Sequence, residues 1–216
     1  MAGAGNVAAA SDGGIDWSSP TPAEPETMKR ATYEDVLNAP ENQVAEILDG
    51  ELFLSPRPTL HHAAAQGALY GILWPRFDQG ERGPGGWHIL PEPELHLEAA
   101  VVVPDLAAWR GERLPSLPDR PWLDLAPDWV CEVLSPSTER TDRSRKLRTY
   151  AAAGVGHAWL VKPADRTLEV LRLRDGAWTI LGVWEDAAVV RAEPFEAIEV
   201  DLGRLWPGPP APPPAP

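Results

Sequence analysis

The sequence predicts a mixed α/β (α+β) fold, a central mixed β-sheet flanked by helices, and three observations carry that prediction. Two apolar-rich runs are each broken by Asp-Gly, at Asp49-Gly50 and Asp175-Gly176, the signature of a tight hairpin. A stretch from Leu60 to about Pro75 repeats apolar residues at helical spacing. Finally, a strand-like segment from Trp129 leads into a helical one and then into "HAWLV", the order of a right-handed parallel crossover.

Each element has its own signal. "TYEDVLNA" reads as a short helix with Thr32 as N-cap and Asp35 three residues on, an approximate capping box. "AEILDGELFLSP" reads as strand, turn, strand, closed by Pro56. The next helix would present Leu60, Ala64, Ala68, Leu69, Ile72 and Leu73 on one face and end around Pro75. Strand character returns in "GWHILPEPELHLEAAVVVPDLAAWR", where Glu94 to Glu98 alternate as if one face were wet, and Val101 to Val103 form a run suited to cover on both faces. Four Pro among the 18 residues of "GERLPSLPDRPWLDLAPD" predict a loop. The strand from Trp129 then sets Val130, Glu132 and Leu134 on one face and Trp129, Cys131 and Val133 on the other. The helix after it has Thr138 as a cap and Gly154 as its stop, the following strand ends before Pro163, and no internal repeat is evident.

Of the 216 residues, 1–28 are rich in Ala, Gly, Ser, Pro and acid, and 207–216 are dominated by Pro, so both read as disordered tails around a single domain at 29–206. No apolar run is long enough to span a bilayer, and the N-terminus lacks a secretory pattern, which points to a cytoplasmic protein without a membrane partner. The lone Cys131 excludes an internal disulfide and a cysteine-based zinc cluster, and its neighbours make it a core thiol. A net charge of -13 argues against strong non-specific nucleic-acid binding. It leaves room for a local patch: "ERTDRSRKLR" holds four Arg and one Lys in ten residues, readable as a solvated helix face or as a phosphate-facing one.

Glu132 poses the chemical question. Five of the six residues from Trp129 to Leu134 are apolar, and a carboxylate in such a run costs several kcal/mol unless a cation, a hydrogen-bond network or a raised pKa compensates. Two further acids sit at strand-like positions, Glu46 in "AEILDGEL" and Asp105 after Pro104 in "VVVPDLAAW". If the strands of Asp105 and Glu132 are neighbours, the two carboxylates converge, and one divalent cation would offset both; an all-oxygen site suits Mg2+ or Mn2+ better than zinc. The alternative is that each acid caps a strand end or pairs with an Arg. His61 and His62 point about 100 degrees apart on a helix, so only one of them can face such a pocket.

"TYEDVLNAPENQVAEILDGELFLSPRPTLHHAAAQGAL", "VVVPDLAAW", "DWVCEVLSPSTERTDRSRKLRTYAAAGVGHAWLVKP" and "IEVDLGRLW" together resemble the Uma-two family of restriction-endonuclease-like proteins, a branch of the PD-(D/E)XK nuclease superfamily; the resemblance covers about residues 31 to 206. It implies a restriction-endonuclease-like core with a metal site at the strand ends. Asp105 matches the acid of the PD element, Glu132 the second acid, and Glu46 the acid ahead of the first hairpin turn, which would together hold Mg2+ or Mn2+. The chain departs from the superfamily at the lysine: two residues after Glu132 stands Leu134, so Lys146 on the following helix is the candidate for a migrated lysine, facing inward beside Leu147 and Tyr150 or left in solvent. His157 and Lys162 depart from the family pattern and read as surface variation.

The implied activity is a metal-dependent DNA endonuclease with Glu46, Asp105, Glu132 and Lys146 as its catalytic set, binding DNA weakly and salt-sensitively through Arg140, Arg143 and Arg145. A reading from another class keeps the fold without catalysis, as a protein-interaction module, which the acidity, the Pro-rich tails and the missing E-x-K favour. Exposed tryptophans such as Trp74, Trp109 or Trp122 can stack on bases or on another subunit. Cores of this kind often pair to cut both strands, but no residue pattern marks a homodimer face.

Overall fold

Both Asp-Gly turns form hairpins of the kind their residues dictate. Asp49 and Gly50 lie at φ 54° and 80°, Asp175 and Gly176 at φ 50° and 76°, the left-handed pair of a type I′ turn, and the flanking registers close at Leu48 with Glu51 and at Arg174 with Ala177. The structure, a computed structural model, describes Met1, residues 30–206 and Gly208. Apart from Met1 and Gly208, the expected tails at 1–28 and 207–216 lie outside the described residues.

The elements run α1 (Tyr33–Leu37), β1 (Gln43–Leu48), β2 (Glu51–Pro56), α2 (Leu60–Phe77), β3 (Trp87–Pro91), β4 (Glu94–Leu97), β5 (Ala100–Val102), β6 (Leu106–Arg110), β7 (Trp122–Leu123) and β8 (Trp129–Val133). A helix broken into α3 (Glu139–Thr141), a π-helical turn (Asp142–Lys146) and α4 (Leu147–Ala152) follows, then β9 (His157–Lys162), β10 (Thr167–Arg174), β11 (Ala177–Glu185), β12 (Val189–Val190), β13 (Val200–Asp201) and a 3-10 turn at Leu202–Leu205. The architecture is mixed α+β, as the sequence predicts. The main strands divide between two sheets, ordered β2-β1-β5-β4-β7 and β11-β10-β9-β8-β6-β3, and β12 pairs with β13 alone. The crossover is as expected: β8 and β9 are parallel, Trp129 opposite His157.

The two faces of β8 go to two cores. Trp129, Cys131 and Val133 pack with α2 and the C-terminal segment through Phe195, whose ring lies 5.0 Å from Trp129 and 4.6 Å from Phe77. Val130 and Leu134 pack with Leu48, Leu95, Val102, Leu147 and Tyr150, between the sheets and α4. The period-two assignment of β8 therefore holds, and Glu132 shares the second face.

Four local expectations change. Helix α2 runs past Pro75 to Phe77, because Phe77 is anchored in the core and the Arg76 guanidinium donates to the Ile72 carbonyl near the proline. Leu60 and Ala64 are exposed while His62, Ala65 and Gln66 are buried, so the inward face begins on polar residues. Glu94 to Val102 form a hairpin, β4 with β5, turning at Glu98 with φ 53°. The Pro-rich loop contains the short β7, paired parallel to β4. The end of α4 is as read: Gly154 at φ 77° donates to Ala151, and Val155 donates to the Tyr150 carbonyl, a Schellman closure with both apolar partners buried. α1 carries its box, with the Asp35 carboxylate accepting from the Thr32 amide at 2.7 Å.

Candidate active site

Asp105 stands in the gap between β5, which belongs to one sheet, and β6, which belongs to the other, so the chain crosses between sheets there. β6 pairs antiparallel with β8, Leu106 opposite Cys131, and this brings Asp105 alongside Glu132. On the other side β1 pairs with β5, Ile47 opposite Val101, and Glu46 accepts from the Val103 amide at 2.8 Å. Glu46, Asp105, Glu132 and Lys146 line one cavity of about 100 Å³, together with His62, Glu92, Asp142 and Thr138.

Among the described residues, the buried charged, amide and imidazole side chains are Glu46, His62, Gln66, Glu132, Asp142 and Lys146. Five of the six line this cavity, and the sixth, Gln66, donates to the Asp105 carbonyl at 2.9 Å and to the Glu92 carboxylate at 3.2 Å. Buried polar groups cost free energy, so their concentration at one point in an otherwise apolar interior makes this cavity the candidate site.

Lys146 answers the question posed by Glu132. Its Nζ lies 3.0 Å from Glu132, 3.1 Å from Glu46, 3.1 Å from the Val103 carbonyl and 3.9 Å from Asp142. The π-helical turn makes this reach possible. The Leu147 amide bonds back to the Asp142 carbonyl, five residues away, so the widened turn turns Asp142, Lys146 and Leu147 all inward. The inward alternative for Lys146 is the one observed. It also removes one argument for a metal: the acidic trio has a protein cation among it.

The remaining partners fix the carboxylates. Tyr150 Oη donates to Glu132 Oε1 at 2.5 Å. Asp105 Oδ2 accepts from the Val133 amide at 2.6 Å, and its Oδ1 lies 2.7 Å from His62 Nε2. Of the two histidines, His62 faces the site and His61 is exposed. Tyr150→Phe leaves Glu132 one donor short in a buried place and is expected to cost about 1–3 kcal/mol in urea unfolding.

Burial dominates the electrostatics. It pushes the Glu132 carboxyl well above its ordinary range, helped by Asp142, Asp105 and Glu46 and opposed by Lys146. Burial works to lower Lys146, but Glu132 and Glu46 outweigh it and hold the ammonium above its usual value. The Tyr150 phenol and the Cys131 thiol are raised, chiefly by burial. Asp142 is pushed by burial up to about 6, against the pull of Lys146 and a hydrogen bond from Thr138. Because its folded pKa lies above the unfolded value of 3.8, Asp142 favours the fold fully below about pH 4 and loses that contribution as pH rises to about 6. Asp142→Asn is therefore expected to be more stable than wild type at pH 7 by about 3 kcal/mol and nearly equal to it at pH 4, read from urea midpoints at the two pH values.

The other expected site residues lie apart. Arg143 pairs with Glu139 at 3.1 Å and Glu169 at 2.8 Å; Arg145 pairs with Glu51 at 2.7 Å and stacks over Phe53; Arg140 is exposed. Trp109 is fully buried and donates to the Leu125 carbonyl, Trp122 stacks on His96, and Trp74 on Tyr70, so all three have intramolecular roles. His157 pairs with Glu193, and Lys162 with Glu139 and Asp165.

Sequence reasoning passed over Asp142 and Gln66 and placed Tyr150 in the core alone. A signal existed in the spacing: Asp142, Lys146 and Tyr150 recur every four residues, as do His62 and Gln66.

Among the described residues no group of three or more His, Cys, Asp or Glu side chains forms a preformed metal cage. The donor chemistry nevertheless suits a hard cation. Asp105, Glu132 and Glu46 offer oxygen only, the thiol of Cys131 lies on the opposite face of β8, and Mg2+ commonly takes one or two carboxylates with water and substrate phosphate in its other positions.

No curated protein matches the chain. Its fold resembles that of a crystal structure described as "a putative nuclease belonging to DUF820 from Anabaena variabilis ATCC 29413", at a TM-score of 0.66 and 22% identity, covering 82% of this chain and 97% of that one. A family model described as "Putative restriction endonuclease" matches residues 30–203, where all the cavity residues lie, and the chain belongs to that family, Uma2.

Proposed function

We propose that the chain is a Mg2+- or Mn2+-dependent DNA endonuclease that hydrolyses phosphodiester bonds with an activated water. The observation that carries this reading is the gathering of Glu46, Asp105, Glu132 and Lys146 around one cavity, where five of the six buried charged, amide and imidazole side chains of the described residues are brought together. Asp105 and Glu132 would hold the ion, with Glu46 in support. When bound, the ion supplies Lewis-acid charge and lowers the pKa of a water.

The chain's own residues do the rest. The Val133 amide and His62 hold the two Asp105 oxygens in place, and Tyr150 and Lys146 do the same for Glu132. Because its neighbours keep Lys146 protonated, it serves as a fixed positive charge for a developing phosphate oxyanion rather than as a proton acceptor. Arg140, exposed on the helix beyond the cavity, is the arginine of the basic stretch best placed to meet DNA phosphate weakly and salt-sensitively.

Hydrolysis of supercoiled plasmid with Mn2+, alongside Mn2+ calorimetry, tests the reading. Nicking or linearisation that requires the ion, with one or two ions bound per chain, is the expected result. A second reading, a non-catalytic interaction module, draws on the ion pairs of Lys146, since Glu132 and Glu46 have a counter-charge without any metal. Neither Mn2+ binding nor cleavage, with the fold intact, is the outcome that selects it.

A further inference from the structure

A second cavity of about 360 Å³ adjoins the first, and the two share Thr59, His62 and Ser135 in their walls. Its chemistry is different. Leu134, Pro136, Pro163 and Trp206 give it an apolar lining, and Arg166 and His61 add polar groups. Its volume lies near the lower end of the range of small-ligand cavities, about 300–1,000 Å³, which suits a single nucleoside.

Three observations bear on what enters it. Arg166 brings a guanidinium to the wall, its side chain 17% exposed and its Nε 3.3 Å from the Asp186 carboxylate. A partly exposed cation beside apolar side chains suits a ligand that has both a face to pack and a polar edge. The N-terminus of the 18-residue helix α2, at Thr59, stands on the boundary between the cavities, where its amide dipole favours a phosphate. Lastly, the basic helix expected to track a duplex has Arg143 and Arg145 already paired with acids, on a chain of net charge -13.

We propose that this cleft is the docking subsite for one unpaired nucleotide next to the scissile phosphate, so that the substrate is single-stranded DNA or a duplex with a flipped or frayed base. The inference rests on the nuclease reading for its phosphate, and takes its base specificity from the cleft. A base stacked and paired inside a duplex presents its edges only, and its face reaches an apolar pocket after leaving the stack. An unpaired base offers that face directly, and a short single strand brings fewer phosphates against an acidic surface than a duplex does.

The test uses a short fluorescein-labelled single strand and its blunt duplex, with the full chain, in EDTA so that binding is read without cleavage. Anisotropy is measured for wild type, Ala164→Trp, which fills the cleft from an exposed turn, and Arg166→Ala. The single strand is expected to bind at least about tenfold tighter than the duplex, and Ala164→Trp to weaken it about tenfold, within the range that stacking of one base contributes. Arg166→Ala should weaken it several-fold, and Ala164→Trp should keep the wild-type melting curve. Equal or tighter duplex binding, or an Ala164→Trp variant that binds as wild type does, overturns the subsite. Mn2+ is then added: strand binding in the cleft with no hydrolysis keeps the subsite and removes the nuclease reading, whereas cutting that Ala164→Trp leaves unchanged does the reverse.

Discussion

Lys146→Met is expected to destabilise the protein by about 3–5 kcal/mol, the cost of breaking a buried ion pair from one side. Lys146 and Glu132 are 3% and 2% exposed, and Glu46 is 5% exposed, so water cannot replace the ammonium. Glu132 would take up a proton instead, since burial already raises its pKa; the loss should therefore be smaller at low pH and larger above neutrality. Adding Glu132→Gln to Lys146→Met removes one of the two stranded charges, leaving Glu46 with the Val103 amide, and should recover part of the stability, while the amide still accepts from Tyr150. Urea unfolding of the two single variants and the double variant gives the coupling directly. A cost below about 1 kcal/mol for Lys146→Met alone would mean that Glu132 is neutral in the native protein and that the pair is a hydrogen bond, not an ion pair.

Asp105→Asn and Glu132→Gln are each expected to lower plasmid cleavage by about a hundred- to a thousandfold or more, and to remove Mn2+ binding in calorimetry. The two differ in what else they touch. Asp105 accepts from the Val133 amide and from His62, and an amide oxygen can keep one of those bonds, so Asp105→Asn should fold with a melting temperature close to wild type. Glu132→Gln leaves Lys146 paired with Glu46 alone and is the more disturbing of the two. Loss of cleavage in Asp105→Asn, at unchanged stability, therefore carries the catalytic assignment. Full activity in that variant would move the chemistry away from this cavity.

Much of this arrangement was legible in the residues. The Asp-Gly turns, the capping box at Thr32, the Gly154 stop and the alternation along β8 are local rules, set by which backbone angles and which faces each residue tolerates, and the fold obeys them. The three acids were legible because a carboxylate in an apolar run is out of place wherever it occurs. Lys146 was half legible. Ordinary helical spacing left it beside the buried stripe, and only the π-helical turn carries it fully inside, to 3.0 Å from Glu132.

The sequence by itself determined the class of fold, the hairpins, the crossover and the three acids at strand positions, Glu46, Asp105 and Glu132, because each follows from interactions between residues near one another in the chain. What only the tertiary structure decided is the division of the strands into two sheets, the crossing at Asp105, the contact of His62 with Asp105 across 43 positions, and the fate of the arginines, two of the three in ion pairs with acids. Those depend on how sheets and helices close on one another to bury apolar area, a sum over the whole molecule that no local pattern records.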